Sequence, residues 1–194
     1  MKALIVSDLL DDFAGCAVQE VASPSAAPGH VVVRMRAAAL GFPDLLMTHG
    51  GYQHKPALPF TPGMEGAGEI IELGEGVRDW ALGERVVVGG LGTMAEAMAV
   101  PVSLLRKIPD NLDFKTAAAT GSAYLTAYVS LARRAYLQSG EWVLVHGAAG
   151  GVGLAAVDLA KHMGAKVIAT AASAEKLAVV QNKYAPDAVL NTND

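Results

Sequence analysis

The run Trp142-Val-Leu-Val-His-Gly-Ala-Ala-Gly-Gly-Val-Gly153 constrains this chain more than any other, because an apolar β-type segment passes straight into small residues and then into a helical pattern. Val143, Leu144 and Val145 read as a strand buried on both faces. Leu154, Ala155, Val157, Leu159 and Ala160 supply the apolar side of a helix that Gly164 closes, and Lys166-Val-Ile-Ala-Thr170 reads as a second strand. Strand, glycine turn, helix and parallel strand within about 30 residues form the βαβ unit whose helix-start amides point at the pyrophosphate of a dinucleotide.

The G-x-G-x-x-G pattern takes the form Ala148-Ala149-Gly150-Gly151-Val152-Gly153, with a further glycine at 147. Gly150 lets the backbone approach the pyrophosphate, Gly153 lets the helix pack close to the strand, and Ala148 is small enough for the tight first turn. A glycine triplet by itself is equally a flexible loop, but that reading leaves the flanking strand and helix patterns without a cause. His146, just before the turn, can bond a loop carbonyl, and a structural role is expected of it.

The chain has 194 residues, 52% of them hydrophobic, enough for a sizeable core and for one domain plus part of another. Its formal net charge is −4 and its Lys and Arg residues are scattered, which argues against nucleic acid as a partner. No apolar run reaches membrane-spanning length and the first one is too short for a signal peptide, so a cytoplasmic location is expected. Cys16 is the single cysteine and the five histidines lack H-x-x-x-H spacing, so no disulfide and no metal site is expected.

Strands are predicted at 2–7, 16–22, 30–40, 66–73, 84–88 and 94–100, a spacing that implies a small β barrel or sandwich over roughly the first 110 residues. In the third, Val31, Val33, Met35 and Ala37 alternate with Val32, Arg34 and Arg36, the pattern of a half-buried antiparallel sheet. A short helix is expected at Asp44 to Thr48 with Pro43 as its first residue. Gly50 to Gly63, with three prolines, three glycines and two aromatics, reads as an ordered loop of the kind that lines sites. After Pro109, Asp113 is an N-cap for a helix through Ala119, and Ser122 to Leu137 continues at helical spacing.

Four stretches, in this order, carry a resemblance over essentially the whole chain: Leu58-Pro-Phe-Thr-Pro-Gly-Met-Glu-Gly-Ala-Gly68, Gly83-Glu-Arg-Val86, Leu125-Thr-Ala-Tyr128 and Val145 to Gly153. They resemble the zinc-independent medium-chain dehydrogenase/reductase superfamily, in its NADPH:quinone oxidoreductase (zeta-crystallin-like) branch. The resemblance implies an α/β plus β fold: an N-terminal GroES-like β-barrel domain at 1–118, without its C-terminal return segment, and at 119–194 the first half of a Rossmann doubly wound parallel sheet. It implies a homodimer at full length. Zinc-dependent relatives would offer a Cys near residue 41, a His after Gly63 and a four-cysteine lobe, whereas Gly41 and Met64 stand here.

The chemistry implied is NADPH-dependent hydride transfer to a small-molecule quinone or conjugated carbonyl. By resemblance, Tyr52 lies near the nicotinamide and positions the acceptor or donates a proton, with a rim aromatic as the plain alternative. Asp44 matches the family's short-helix Asp, either catalytic or orienting its loop, and Thr126 either contacts the nicotinamide ribose or packs the helix. The second strand ends without the carboxylate that would bind an unphosphorylated ribose, and Ser173 with Lys176 resembles the pair that holds a 2′-phosphate. Ser173 is also a natural N-cap, and both roles can coexist. Thr192 follows Asn191 where many relatives have a cofactor-contacting Tyr. An enoyl-thioester reductase of the same superfamily and a catalytically incompetent, crystallin-like nucleotide binder remain as alternatives.

Overall fold

The computed structural model describes residues 1–193 and divides into two compact units, Met1–Gly121 and the chain from Ser122 onward. In the first unit β1 (Lys2–Val6) and β2 (Cys16–Glu20) form an antiparallel pair. A five-stranded antiparallel sheet follows from β3 (His30–Ala38), β4 (Glu65–Leu73), β5 (Arg85–Gly89), β6 (Ala97–Pro101) and β7 (Leu105–Lys107), in the order β6-β3-β4-β5-β7. Isolated bridges Ala3↔Ala95 and Val6↔Phe60 tie the pair to segments beside that sheet. The core holds Val31, Val33, Ile70, Val86, Val88, Val100 and Leu105, so the alternation along β3 works as read on one face. Val32 departs from it: it is also buried, next to a register shift between Val32 and Val33.

Residues 94–96, expected to start the strand, run alongside β1 instead of joining β6: Ala95 bridges Ala3, Leu4 N donates to Met94 O and Glu96 N to Lys2 O, both at 2.9 Å, and β6 begins at Ala97. Helix α1 (Phe42–Thr48) starts two residues earlier than expected, with Gly41 as N-cap and Pro43 in the second helical position, where its missing N–H is still no loss. Helix α2 (Phe114–Ala118) is capped by Asp113, which accepts from Thr116 N at 2.8 Å.

The second unit opens with α3 (Gly121–Tyr128), and the single helix expected to Leu137 changes there into a π-type segment at Val129–Arg134. The Ser130 hydroxyl donates to the Thr126 carbonyl at 2.8 Å, and Ala135 N reaches back five residues to Ser130 O at 2.9 Å. Such back-bonding competes with the regular ladder and loosens it. Next come β8 (Trp142–Val145), α4 (Gly151–His162), β9 (Lys166–Ala171), α5 (Ala174–Tyr184) and β10 (Ala188–Asn191), with a parallel sheet ordered β10-β9-β8. Gly164, at φ +78°, ends α4: its N–H bonds Lys161 O and Ala165 N bonds Ala160 O, both at 3.0 Å.

A second expectation fails in this unit. Val145 is buried, but Trp142 and Leu144 are 57% and 54% exposed, so β8 is covered on one face only. Val145 packs with Val157 and Ala160 of α4, whereas Leu144 projects to the opposite face and stays open, and an apolar run cannot report whether each face of a strand is covered.

Candidate functional site

The glycine turn joins the C-terminal end of β8 to the N-terminus of α4. Gly147 takes φ +59°, a left-handed conformation that lets the chain reverse directly after His146. Ala148 is fully buried and its N–H donates to Thr170 O at 2.9 Å, so its amide is committed to holding the turn on β9 and its contribution is steric. Gly150, the N-cap residue, donates to Gly147 O at 2.9 Å. The first helical bond runs from Leu154 N to Gly150 O at 2.8 Å, which leaves the amides of Gly151, Val152 and Gly153 without intrahelical acceptors.

The glycines differ in what a methyl group would meet. At Gly153 a Cβ would stand 2.3 Å from Gly147 O and 2.7 Å from Ala148 Cα, so only glycine lets α4 sit this close to the turn. At Gly150 the nearest atom is Gly147 O at 3.4 Å, and at Gly151 nothing lies within 4 Å. Gly150 and Gly151 thus leave open space at the helix start, where the three amides and the positive end of the α4 dipole favour an anion.

Gly147, Ala149 and Gly150 form one wall of a recess of about 330 Å³; Ala171, Ala172 and Lys176 form the other. Ala171 and Ala172 were not anticipated as lining residues. Their only trace in the sequence is small size at the end of the second strand, opposite the glycines. Ser173 caps α5 by accepting from Lys176 N at 3.4 Å. Because its oxygen accepts there, its hydroxyl proton is left to donate elsewhere. No carboxylate lines the recess. Thr126 is exposed on α3 and does not line it. The partner of His146 is a side chain rather than a loop carbonyl: its Nδ1 faces the Thr170 hydroxyl at 3.2 Å.

Two further contacts brace this unit. The Tyr124 hydroxyl donates to the Asp158 carboxylate, which bonds α3 to α4; burial first, then that carboxylate, pushes the phenol far above its ordinary value. Asp187 accepts from Val167 N at 2.7 Å and from Lys161 Nζ at 2.9 Å, and these bonds hold its carboxyl below the usual range.

In the first unit, Asp44 is 3% exposed and both its oxygens are engaged. Oδ2 accepts from Gly41 N at 2.8 Å and Oδ1 from Gly63 N at 3.0 Å, so it fastens the start of α1 to the far end of the Gly50–Gly63 loop. Tyr52, in that loop, is half-buried against the cluster of Val6, Met47 and Phe60. Among the described residues no group of three or more His, Cys, Asp or Glu side chains is placed to hold a metal ion, and no helix is long and apolar enough to cross a membrane.

Residues 27–110 match the alcohol dehydrogenase GroES-like domain. Over 154 residues the chain is 47% identical to the quinone oxidoreductase-like protein 2 homolog of Nematostella vectensis, spanning 78% of this chain and 42% of that protein. A probable oxidoreductase from Mycobacterium abscessus superposes on 100% of this chain and 62% of its own, with a TM-score of 0.93 and 41% identity. The chain belongs to the medium-chain dehydrogenase/reductase superfamily. Another solved member, the quinone oxidoreductase from Thermus thermophilus, whose structures include a complex with NADPH, covers 97% of this chain with 59% of its own length, at a TM-score of 0.84 and 36% identity. Within the superfamily's architecture the first unit is the GroES-like domain and the three parallel strands are the first half of the Rossmann sheet. The chain spans less than half the length of its Nematostella relative.

Proposed function

We propose that this chain binds NADPH at the Gly147–Gly153 turn and serves a zinc-independent reductase that delivers hydride to quinones or α,β-unsaturated carbonyls. The observation that carries the reading is the recess next to the start of α4, where three amides have no intrahelical acceptor: Gly147, Ala149 and Gly150 form one wall, Ala171, Ala172 and Lys176 the other, and no carboxylate is in its lining. An acidic residue at the end of β9 would repel a 2′-phosphate, whereas a lysine attracts it. Bound NADPH would supply the hydride.

The chain's own residues bind and orient. The amides of Gly151, Val152 and Gly153 hold the pyrophosphate, with Ala148 and Ala149 shaping the turn behind them. Ser173 and Lys176 hold the 2′-phosphate. Tyr52 positions the acceptor and donates a hydrogen bond to its carbonyl oxygen, where negative charge develops. Asp44, with both oxygens committed to backbone amides, is a positioning residue for the loop that carries Tyr52 rather than a catalytic one. Thr126 serves the nicotinamide-ribose side. The functional domains divide at 118/119 in this reading, three residues before the end of the first compact unit at Gly121.

Fluorescence titration of the chain with NADPH and NADH tests the cofactor reading: saturable binding with preference for NADPH is expected, and no binding of either refutes it. Loss of absorbance at the NADPH band with quinone and enone acceptors tests the reaction. Binding without turnover on any acceptor, in a version carrying the complete Rossmann sheet, refutes the activity and leaves a nucleotide-binding protein.

A further inference from the structure

The recess wall opposite the glycine turn is short and has few supports. Ala171 ends β9 and pairs in register with Asn191 of β10, and α5 begins at Ala174, so Ala172 and Ser173 alone connect strand to helix. The wall is secured from the segment that follows β10. Thr192 N donates to Ala171 O at 3.0 Å, and the Asn193 side-chain amide donates to Ala172 O at 2.7 Å. Asn193 N in turn donates to Asn191 Oδ1 at 3.2 Å, a local turn that folds the segment back toward the wall.

Resting on the NADPH reading above, we propose that Asn193 is a positioning residue that sets the recess's preference for a 2′-phosphate, by holding the Ala172–Ser173 connection through the Ala172 carbonyl. The peptide that carries this carbonyl leads directly into Ser173. Its orientation therefore decides where the Ser173 hydroxyl points and how the first turn of α5, with Lys176, faces the recess. Ser173 is extended, at φ −152° and ψ 152°, and its cap bond to Lys176 N is long at 3.4 Å, so the cap alone holds the junction weakly. The pyrophosphate wall is fastened independently, by Ala148 N on Thr170 O and Gly150 N on Gly147 O. Releasing Asn193 thus loosens one phosphate position and leaves the other in place. A side chain at 193 must donate to do this, because the atom it faces is an acceptor.

The test compares adenosine 2′,5′-bisphosphate with 5′-AMP, two probes that differ only in the 2′-phosphate and need no nicotinamide pocket. Calorimetric titration of the 194-residue chain is expected to give tighter binding of the bisphosphate. In Asn193→Ala that preference is expected to shrink by about five- to tenfold, the scale of one anchoring hydrogen bond, with 5′-AMP affinity unchanged within about twofold. Asn193→Gln keeps the amide donor and is expected to retain more of the preference than Asn193→Ala. Asn193 is exposed, so neither variant removes core packing. Equal weakening of both nucleotides, or an unaltered preference in Asn193→Ala, overturns the proposal while the NADPH reading stands. Lack of any 2′-phosphate preference in the unaltered chain overturns that reading, and the proposal with it.

Discussion

The glycine turn makes opposite demands at Gly150 and Gly153, and substituting each with alanine separates them. In Gly153→Ala the new methyl would lie 2.3 Å from Gly147 O and under 3.0 Å from Ala148 Cα and C, all backbone atoms in a turn that Ala148 N already pins to β9. No side chain can rotate away, so α4 must slide off the turn. Overpacking of this kind costs about 1–3 kcal/mol, against which the gain from a less flexible unfolded chain offsets about 0.4–1 kcal/mol. A net loss of about 1–2 kcal/mol lowers the melting midpoint of a unit this size by about 4–15 °C, and the displaced amides weaken NADPH as well. In Gly150→Ala the methyl meets only Gly147 O, at an ordinary 3.4 Å, and the backbone at φ −80° suits alanine. Stability should stay within about 0.5 kcal/mol, while the methyl stands where the pyrophosphate approaches and NADPH affinity falls at least about tenfold. Differential scanning fluorimetry and NADPH fluorescence on both variants read the two effects. If Gly153→Ala melts with the unaltered chain, the close packing is not what fixes glycine there. If Gly150→Ala binds NADPH unimpaired, the pyrophosphate lies elsewhere.

Three other perturbations follow from particular contacts. Asp44→Asn turns one of two acceptors into a donor facing a backbone N–H in a site 3% exposed, and is expected to destabilise the first unit by about 1–3 kcal/mol in urea unfolding; an unchanged midpoint would show that the loop does not depend on that carboxylate. Asp187 has its carboxyl held below the ordinary range by Val167 N and Lys161, so its stabilisation is complete above the unfolded value of about 4 and is lost as pH falls through the folded one. Asp187→Asn should therefore flatten the acid limb of stability against pH, and an identical limb counts against the assignment. Leu144→Lys puts a charge on the uncovered face of β8 at a position 54% exposed, and stability is expected to stay within about 0.5 kcal/mol in scanning fluorimetry; a clear drop in melting temperature would show that this face is covered.

What could be read from the sequence was local. The strand, turn and helix around Gly150 are encoded in consecutive residues, as are the caps at Asp113 and Ser173, because their partners lie within four positions along the chain. The site's supports are not local. Asp44 reaches Gly63 across 19 positions and Asn193 reaches Ala172 across 21, and neither residue type announces its acceptor or donor in advance. β8 departs for the same reason: its apolar run is what a strand covered on both faces would show, and the packing of each face is set by elements distant in the chain. The π-type segment after α3 hinges on Ser130 choosing the Thr126 carbonyl, a competition that helical spacing alone does not record. The glycines therefore say where a diphosphate would lie. Which nucleotide is preferred depends on a wall built from β9, α5 and the residues after β10, with its lysine in view in the sequence and its fastening in view only in three dimensions.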